Sequence, residues 1–402
     1  MQTNSHIRTF IIAGLIAVIL LTAFIVWGIP YFFQTSLPEA AGMPLGTGTA
    51  RAEVVAIPEE GEIDLGGVIQ HYQILSARIL DGEYAGMTFD VDYGKRQVVP
   101  SDIRFDVGDT ILVSVSMRQD GVINVYFVDY VRTPMIGWLA VAFAVAIIVT
   151  GKWKGVRSLL ALAFSLTTII GFIIPHILTG EDPVRVSIIG ATILLTITLY
   201  VTYGWTLKTH ASVIGMIVVL VLTGSLAWFA IQLTRLTGSA TEEALFLIQM
   251  SAVSINLRGL MLGGMIIGAL GVLDDLVTTQ SSAVFELHAT DETLGFRALV
   301  ARAMRIGQDH VAATVNTLVL AYAGASLPTL LMFSLNRGDY GTLLNYEFIA
   351  EEVVRTLVGS LGLIAAVPIT TAIAAGLALY SHRLGEWRHL LGPENSGGGH
   401  VH

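Results

Sequence analysis

The chain has 402 residues, of which 53% are hydrophobic and 13% are charged, and its mean hydropathy is +0.70. Soluble proteins carry about 25% charged residues, so this composition excludes an ordinary soluble domain. It predicts a polytopic α-helical membrane protein whose main partner is the lipid bilayer. Cysteine is absent, which excludes disulfide bonds and thiolate metal sites.

The first apolar run, residues 10–33, follows a basic residue, Arg8. It is longer than the apolar core of about 7 to 15 residues in a cleaved signal peptide. We therefore expect residues 1–33 to be a retained transmembrane anchor with a cytoplasmic N-terminus. Ala40 and Ala41 leave cleavage open as the alternative.

Residues 34–133 form an acidic segment with 15 acidic and 7 basic residues, which account for nearly all of the net charge of −9. This charge argues against nucleic acid as a partner. A linker rich in proline and glycine precedes alternating apolar and polar runs, which turn signals such as Asp81-Gly82 and Gly108-Asp109 separate. The pattern predicts a small β-barrel-like (OB-like) domain. Its five predicted strands are 50–57, 69–80, 87–92, 110–117 and 122–131.

Residues 134–380 contain seven further apolar runs, which predict a seven-helix transmembrane core and, with the anchor, about eight transmembrane helices. Basic residues concentrate in alternate connections, so the positive-inside rule predicts a multi-pass cell-membrane protein with both termini cytoplasmic and residues 34–133 extracytoplasmic. Residues 381–402, which end in glycines and histidines, are predicted to be a disordered cytoplasmic tail. The predicted spans of the core are 135–150, 158–178, 186–203, 211–233, 260–276, 311–333 and 354–380.

Two connections are long enough to hold structure of their own. Residues 241–256 predict an outer interfacial or re-entrant helix with acidic residues in its first turn. Residues 294–304 predict an amphipathic helix, whose basic side suits anionic lipid on the cytoplasmic side.

The fifth span of the core is unusual because two carboxylates, Asp274 and Asp275, lie inside an apolar helix. Ionisable groups at such depth are costly, so they normally face protein or water and mark a functional site. Asp275 shares one helical face with three glycines, whereas Asp274 is displaced by about 100° around the helix axis. That stripe predicts close packing of another helix, and its glycines are Gly264, Gly268 and Gly271.

The penultimate span carries the second group of polar residues, which we predict to line a pathway or an ion-binding site together with the two aspartates. Counting about 1.5 Å per residue places Asn316 level with Asp275. The four candidates on this span are Asp309, His310, Asn316 and Thr317.

The last span begins with a charged group, Glu351, Glu352 and Arg355, in which Glu351 and Arg355 are an i, i+4 pair. We expect Arg258, at the outer end of the glycine-rich helix, to pair with Glu351 or Glu352. Glycines that follow on the last span predict close helix packing, and they are Gly359 and Gly362.

Several enzyme classes lack their motifs in this chain. It contains neither the G-x-x-x-x-G-K-[ST] loop of ATP-driven proteins nor the H-E-x-x-H of metalloproteases. An intramembrane aspartyl protease would need G-x-G-D, but Leu273 stands where its second glycine should be, before Asp274. We therefore expect no enzyme, no cofactor and no metal site, since one adjacent carboxylate pair supplies too few oxygen ligands.

Three segments together resemble the YibE/F-like bacterial membrane proteins, and the resemblance extends over most of residues 50–380. It implies a membrane architecture and carries over no catalytic residues. The segments are LRGLMLGGMIIGALGVLDDLVTTQSSAVFEL, RAMRIGQDHVAATVNTLVLAYAGASLP and EEVVRTLVGSLGLIAAVPITT.

Two function hypotheses remain open. The first is a permease or transport component for a small polar solute or ion that uses the intramembrane carboxylates. The second is a non-transporting assembly or sensory protein that presents the β domain to an extracytoplasmic protein partner or to a second copy.

Overall fold

The computed structural model describes residues 48–67, 69–100, 103–117, 123–251, 253–335, 340–381, 391 and 393. The predicted anchor, the linker before residue 48 and most of the tail lie outside these residues. The chain forms two compact units, of which one contains the sheet and ends at Phe143 and the other contains the helices from Ala144 onward.

The sheet is antiparallel and has five strands, in the order β3-β2-β1-β4-β5. All five predicted strands are present, although β1 continues for seven residues beyond its predicted end at residue 57. It does so as a hairpin arm with β2, pairing Glu62 with His71. The strands are β1 (Thr49–Asp64), β2 (Ile69–Ile79), β3 (Thr88–Tyr93), β4 (Thr110–Met117) and β5 (Ile123–Tyr130).

The predicted closed barrel is wrong, because the sheet is open in the part of the chain that is described and β3 and β5 are its edge strands. Aromatic rings fill the space between these two edges. The Phe105 ring meets Tyr93 of β3 at 4.9 Å and Phe127 of β5 at 5.3 Å, both edge-on. Such contacts curl the sheet around a core through side chains, without a ladder of backbone hydrogen bonds to close it.

The helical unit is built from long apolar helices. Five segments of the described residues are long and apolar enough to cross a membrane: Thr133–Leu178, Pro183–Tyr203, Leu207–Thr234, Leu257–Thr290 and Glu347–Tyr380. The helices are α1 (Thr133–Thr168), which continues through a π-helical turn (Ile169–Ile173) into α2 (Ile174–Leu178), then α3 (Pro183–Tyr203), α4 (Leu207–Thr234), α5 (Glu242–Met250), α6 (Leu257–Thr290), α7 (Phe296–Ala325), α8 (Leu327–Leu335), α9 (Tyr340–Leu343) and α10 (Glu347–Tyr380).

The first of these segments contains two of the predicted spans, 135–150 and 158–178. The backbone leaves helical geometry at Lys152, where φ is 50° and ψ is −130°. Gly155 lies so close to Ile147 that a methyl group added to it would collide with the Ile147 carbonyl. The chain therefore reverses between these two residues. The two predicted spans are therefore the two arms of a hairpin.

The predicted span 311–333 and the predicted amphipathic helix 294–304 are wrong as separate elements. The helix α7 runs without interruption from Phe296 to Ala325 and therefore contains both the amphipathic segment and most of the span. It ends at Ser326, and α8 follows as a separate helix. Polar residues in the middle of α7 reduce its apolar character, so α7 is not among the five candidate membrane helices.

The centre of the helical unit consists of α4, α6 and α10, which pack against one another through small residues. Gly362 of α10 lies against Thr223 of α4, and Gly215 of α4 lies against Thr370 of α10. The start of α6 is defined by Asn256, whose side chain accepts a hydrogen bond from the backbone N–H of Gly259 at 3.1 Å. This start places residue 274 about 26 Å along α6, at 1.5 Å per residue.

Three residues of the predicted disordered tail are described, Ser381, Leu391 and Pro393, and the last two lie against the start of α4. The carbonyl of Pro393 accepts a hydrogen bond from the backbone N–H of Leu207 at 3.0 Å. Leu391 packs on the buried cluster that includes Leu207 and Ala211. These contacts satisfy one of the unpaired N–H groups at the helix N-terminus.

Candidate functional site

The two adjacent aspartates of α6 have different surroundings. Asp274 is half-buried and lines a cavity of about 360 Å³ between the second arm of the α1 hairpin, α3, α4 and α6. Its Oδ1 atom is buried and has no hydrogen-bond partner among the described residues. Buried polar atoms are almost always paired, so an unpaired carboxylate oxygen beside a cavity needs an explanation.

Hydroxyl groups supply most of the other polar atoms of this cavity. They come from the two helices that face α6, and the residues are Ser158, Ser165, Thr198, Thr202 and Tyr203. Among the described residues that line the cavity, Asp274 is the only one whose side chain is charged at neutral pH. The remaining walls are apolar, so the cavity combines a few polar groups with apolar surface, as small-molecule sites do.

Several of these hydroxyls are held by their own helices. Ser165 donates to the carbonyl of Ala161 at 2.9 Å, and Thr198 donates to the carbonyl of Leu195 at 3.3 Å. The cavity also borders the π-helical turn at Ile169. Turns of this kind are frequent at functional sites, because the extra residue changes which side chains point inward.

Asp275 lies outside the cavity. Its side chain is 72% exposed, and its Oδ2 atom is 3.7 Å from Nε2 of His310 on α7. The sequence placed Asp275 level with Asn316, but its observed neighbour is six residues earlier on that helix. Asp309, Asn316 and Thr317 are exposed. The predicted polar group is thus divided between the cavity, which receives Asp274, and an exposed side of α6 and α7.

The glycines that sequence analysis singled out also have different surroundings. Gly359 and Gly362 approach neighbouring helices closely, at Leu318 and Thr223 respectively. Gly268 lies near the hydroxyl of Tyr322, at 3.7 Å from an added Cβ. Gly264 and Gly271 have open space on this side, with no atom of the described chain within 4 Å of an added Cβ.

The charged group at the start of α10 is present, but its predicted partner is not. Arg355 donates to Glu351 at 2.6 Å and to Glu352 at 2.7 Å. Arg258 instead donates from Nε to the carbonyl of Leu236 at 2.9 Å, just beyond the end of α4. The predicted pair between Arg258 and Glu351 or Glu352 is therefore wrong. Arg355 lies within about one helical turn of both carboxylates and donates a hydrogen bond to each of them.

Sequence analysis missed the hydroxyl groups of the cavity and a buried amide. Ser158 and Ser165 are seven residues apart, and Thr198 and Thr202 are four apart, so each pair shares one helical face. That spacing is the signal that would have found them. The buried amide is Gln280, which donates to the Ala303 carbonyl at 3.0 Å and to the Thr371 hydroxyl at 2.6 Å.

Metal-ligating side chains do not converge in the described part of the chain, where no three His, Asp or Glu residues approach one another closely enough to hold an ion. The polar groups that the described lining of the cavity supplies are one carboxylate and several hydroxyl oxygens.

Comparison with known proteins identifies the helical part of the chain. The family model described as YibE/F-like protein matches residues 139–379, which is more than half of the chain and leaves the sheet outside the match. No curated protein and no solved structure matches the chain. The match confirms the resemblance found in the sequence, and the chain belongs to the YibE/F-like protein family.

Proposed function

We propose that this membrane protein is a permease or transport component for a small polar solute or ion, and that the cavity at Asp274 is part of the pathway. The observation that carries the proposal is a half-buried carboxylate with an unpaired oxygen, which lines a cavity with five hydroxyl residues between apolar helices. A carboxylate within a membrane helix is costly, and it normally persists where it serves a pathway or a binding site.

Passage of a solute, without covalent chemistry, is the activity that this arrangement supports best. An aspartyl protease needs two carboxylates that face each other across the reacting group. Asp309 is exposed on α7 and does not line the cavity of Asp274. The proposal therefore assigns binding roles to the cavity residues and no catalytic roles.

We further propose that both termini are cytoplasmic and that the sheet is extracytoplasmic. Basic residues support this orientation, because Lys152, Lys154 and Arg157 lie at the reversal of the α1 hairpin and Lys208 lies after the end of α3. Cytoplasmic connections are enriched in lysine and arginine.

The test is solute counterflow in proteoliposomes that contain the purified full chain. A panel of radiolabelled monovalent cations, amines and amino acids identifies the solute that exchanges. Asp274→Asn should abolish exchange of that solute, because the amide keeps the shape of the side chain and removes its charge. Glu286→Gln, which changes an exposed carboxylate on the same helix, is the matched control and should retain exchange.

Two results would contradict the transport proposal. One is the absence of exchange for every solute in the panel when the protein is folded and correctly inserted. The other is undiminished exchange in the Asp274→Asn variant.

A second candidate function rests on the open edges of the sheet. β3 and β5 are the edge strands of the described sheet, and an edge strand can pair with a further strand. Strand addition of this kind is a common mode of peptide recognition, so it supports the assembly or sensory alternative. Deletion of residues 48–131 should then abolish partner co-purification while the helical unit stays folded, and retained co-purification would contradict it.

A further inference from the structure

Two hydroxyl groups of the Asp274 cavity offer acceptors to a ligand. Ser165 and Thr198 each commit the hydroxyl proton to a carbonyl of their own helix, at 2.9 and 3.3 Å. A hydroxyl whose proton is used in this way presents only oxygen lone pairs to a neighbour. An ionised carboxylate is likewise an acceptor only. Asp274, Ser165 and Thr198 together therefore complement a ligand that donates hydrogen bonds.

The charge of the cavity points in the same direction. Asp274 is the only lining residue with a formal charge at neutral pH, and no lysine, arginine or histidine lines the cavity among the described residues. An unpaired charge between apolar helices is poorly screened, so it attracts a cation strongly and disfavours an anion. The side chain of Asp274 lines the cavity, and its Oδ1 atom has no hydrogen-bond partner in the described chain.

The size and the apolar walls of the cavity argue against a bare metal ion. Leu162, Leu194, Met216 and Leu270 contribute apolar surface to the walls of the cavity. The volume of about 360 Å³ lies at the lower end of the range of about 300–1,000 Å³ for small-molecule sites. A dehydrated alkali ion would leave most of this volume and all of the apolar wall unused. A ligand with a cationic donor group and a short apolar body uses both.

We propose that the cavity binds a small organic cation, a protonated amine with a short apolar body, whose ammonium group contacts Asp274 and the hydroxyl oxygens of Ser165 and Thr198. This proposal names the class of solute for the proposed function. It rests on that function in one respect, namely that the cavity is part of the pathway. Binding itself is measurable without transport.

The test is calorimetric titration of the purified full chain, in a neutral sugar detergent, with n-butylammonium chloride as the probe. We expect saturable binding of n-butylammonium and at least tenfold weaker binding of sodium butyrate and n-butanol, which match its body and lack its charge. Asp274→Asn should weaken the affinity at least tenfold, whereas Glu286→Gln should change it less than twofold. Ser165→Ala removes one acceptor and should weaken the affinity two- to tenfold.

The Ser165→Ala variant also decides the question if Asp274→Asn does not fold, as judged by its far-ultraviolet circular dichroism. Three results would each overturn the proposal. The first is an affinity for butyrate equal to that for n-butylammonium, and the second is an affinity for n-butylammonium that is unchanged in both variants. The third is complete competition by sodium chloride at matched ionic strength. Titration in nanodiscs separates a free amine from a lipid headgroup. If phosphatidylethanolamine, compared with phosphatidylglycerol, abolishes n-butylammonium binding, the ligand is the lipid headgroup and the soluble amine is overturned.

Failure of this inference and failure of the proposed function are distinguishable. Amine binding that depends on Asp274, without any counterflow, would support the binding site and contradict transport. Counterflow of an anionic solute without amine binding would support transport and contradict the organic cation.

Discussion

Asp274 and Asp275 are consecutive residues of α6, yet Asp274 lines an internal cavity and Asp275 is 72% exposed and lies 3.7 Å from His310. Consecutive helical residues are about 100° apart, so one residue of a membrane helix can face the core while the next faces outward. The hydrophobic neighbours of both are buried: Leu273 and Leu276 are each 1% exposed. The burial of these leucines fixes the rotation of α6 about its axis. This rotation determines which of the two aspartates a ligand in the cavity can reach.

The buried side-chain amide of Gln280 connects three helices. We expect Gln280→Leu to destabilise the helical unit by about 1–3 kcal/mol, because the substitution leaves buried polar groups without a hydrogen-bond partner. Its amide donates to Ala303 of α7 and to Thr371 of α10. The measurement is the thermal unfolding midpoint in detergent. Gln232→Leu, at an exposed position of α4, is the matched control. Equal midpoints for the two variants would show that the Gln280 bonds contribute no stability.

Two glycines of the long helices should respond in opposite ways to alanine. A methyl group at Gly362 would collide with Thr223, which is buried and stiff at its branched Cβ, so Gly362→Ala should cost about 1–3 kcal/mol. Gly264 has open space, so Gly264→Ala should be neutral or should stabilise by up to about 1 kcal/mol, because alanine favours helix more than glycine. Unfolding midpoints measure both effects. Destabilisation by Gly264→Ala would indicate that another helix packs there.

The sheet should lose stability in acid through Asp81. Hydrogen bonds from the Arg51 side chain, at 2.6 Å, and from its backbone lower the pKa of Asp81 below its ordinary value of 3.8. A lowered pKa in the folded state contributes stability that is complete above about pH 4 to 5, and this stability disappears as the pH falls through the lowered value. The gain is at most about 1 kcal/mol, since both side chains are substantially exposed.

Hydrogen exchange of β1 and β2, corrected for the intrinsic exchange rate, measures this effect in the full chain. Asp81→Asn should accelerate exchange at pH 6, and the difference should become smaller at pH 2.5, which is below the ordinary pKa of 3.8. Glu83→Gln, an exposed carboxylate in the same turn, is the control and should not accelerate exchange. If Asp81→Asn accelerated exchange as much at pH 2.5 as at pH 6, the charge of the Asp81 carboxylate would not be what stabilises this turn.

The absence of native cysteine makes the proposed orientation directly testable, because a single introduced thiol is the only site of labelling. Glu83, in the turn between β2 and β3, and Glu292, between α6 and α7, are both exposed. A membrane-impermeant maleimide should label Glu83→Cys in intact cells and Glu292→Cys only after the cells are lysed. The reverse pattern would invert the proposed topology.

Local patterns sufficed for much of the architecture. The alternation of apolar and polar residues in 110–117 predicted β4 with its observed bounds, Thr110–Met117. Hydropathy located the long helices, because burial in lipid requires apolar residues along the whole span. The predicted barrel was wrong, because the curvature of the sheet depends on contacts of Phe105 with residues of both edge strands that are distant in sequence. The separate penultimate span was wrong, because the amphipathic segment and the apolar run that follows it form one continuous helix, α7.

The sequence by itself determined the membrane class, the family, the five strands and the presence of two carboxylates inside an apolar helix, because composition and periodicity are local properties. Only the tertiary structure decided which carboxylate is enclosed. Sequence analysis favoured the glycine face and Asp275, but α6 packs against α4 and α10 so that Asp274 lines one cavity with hydroxyl residues of α1 and α3. Those partners are 70 or more residues away, and the rotation of a helix about its axis depends on all of its neighbours at once.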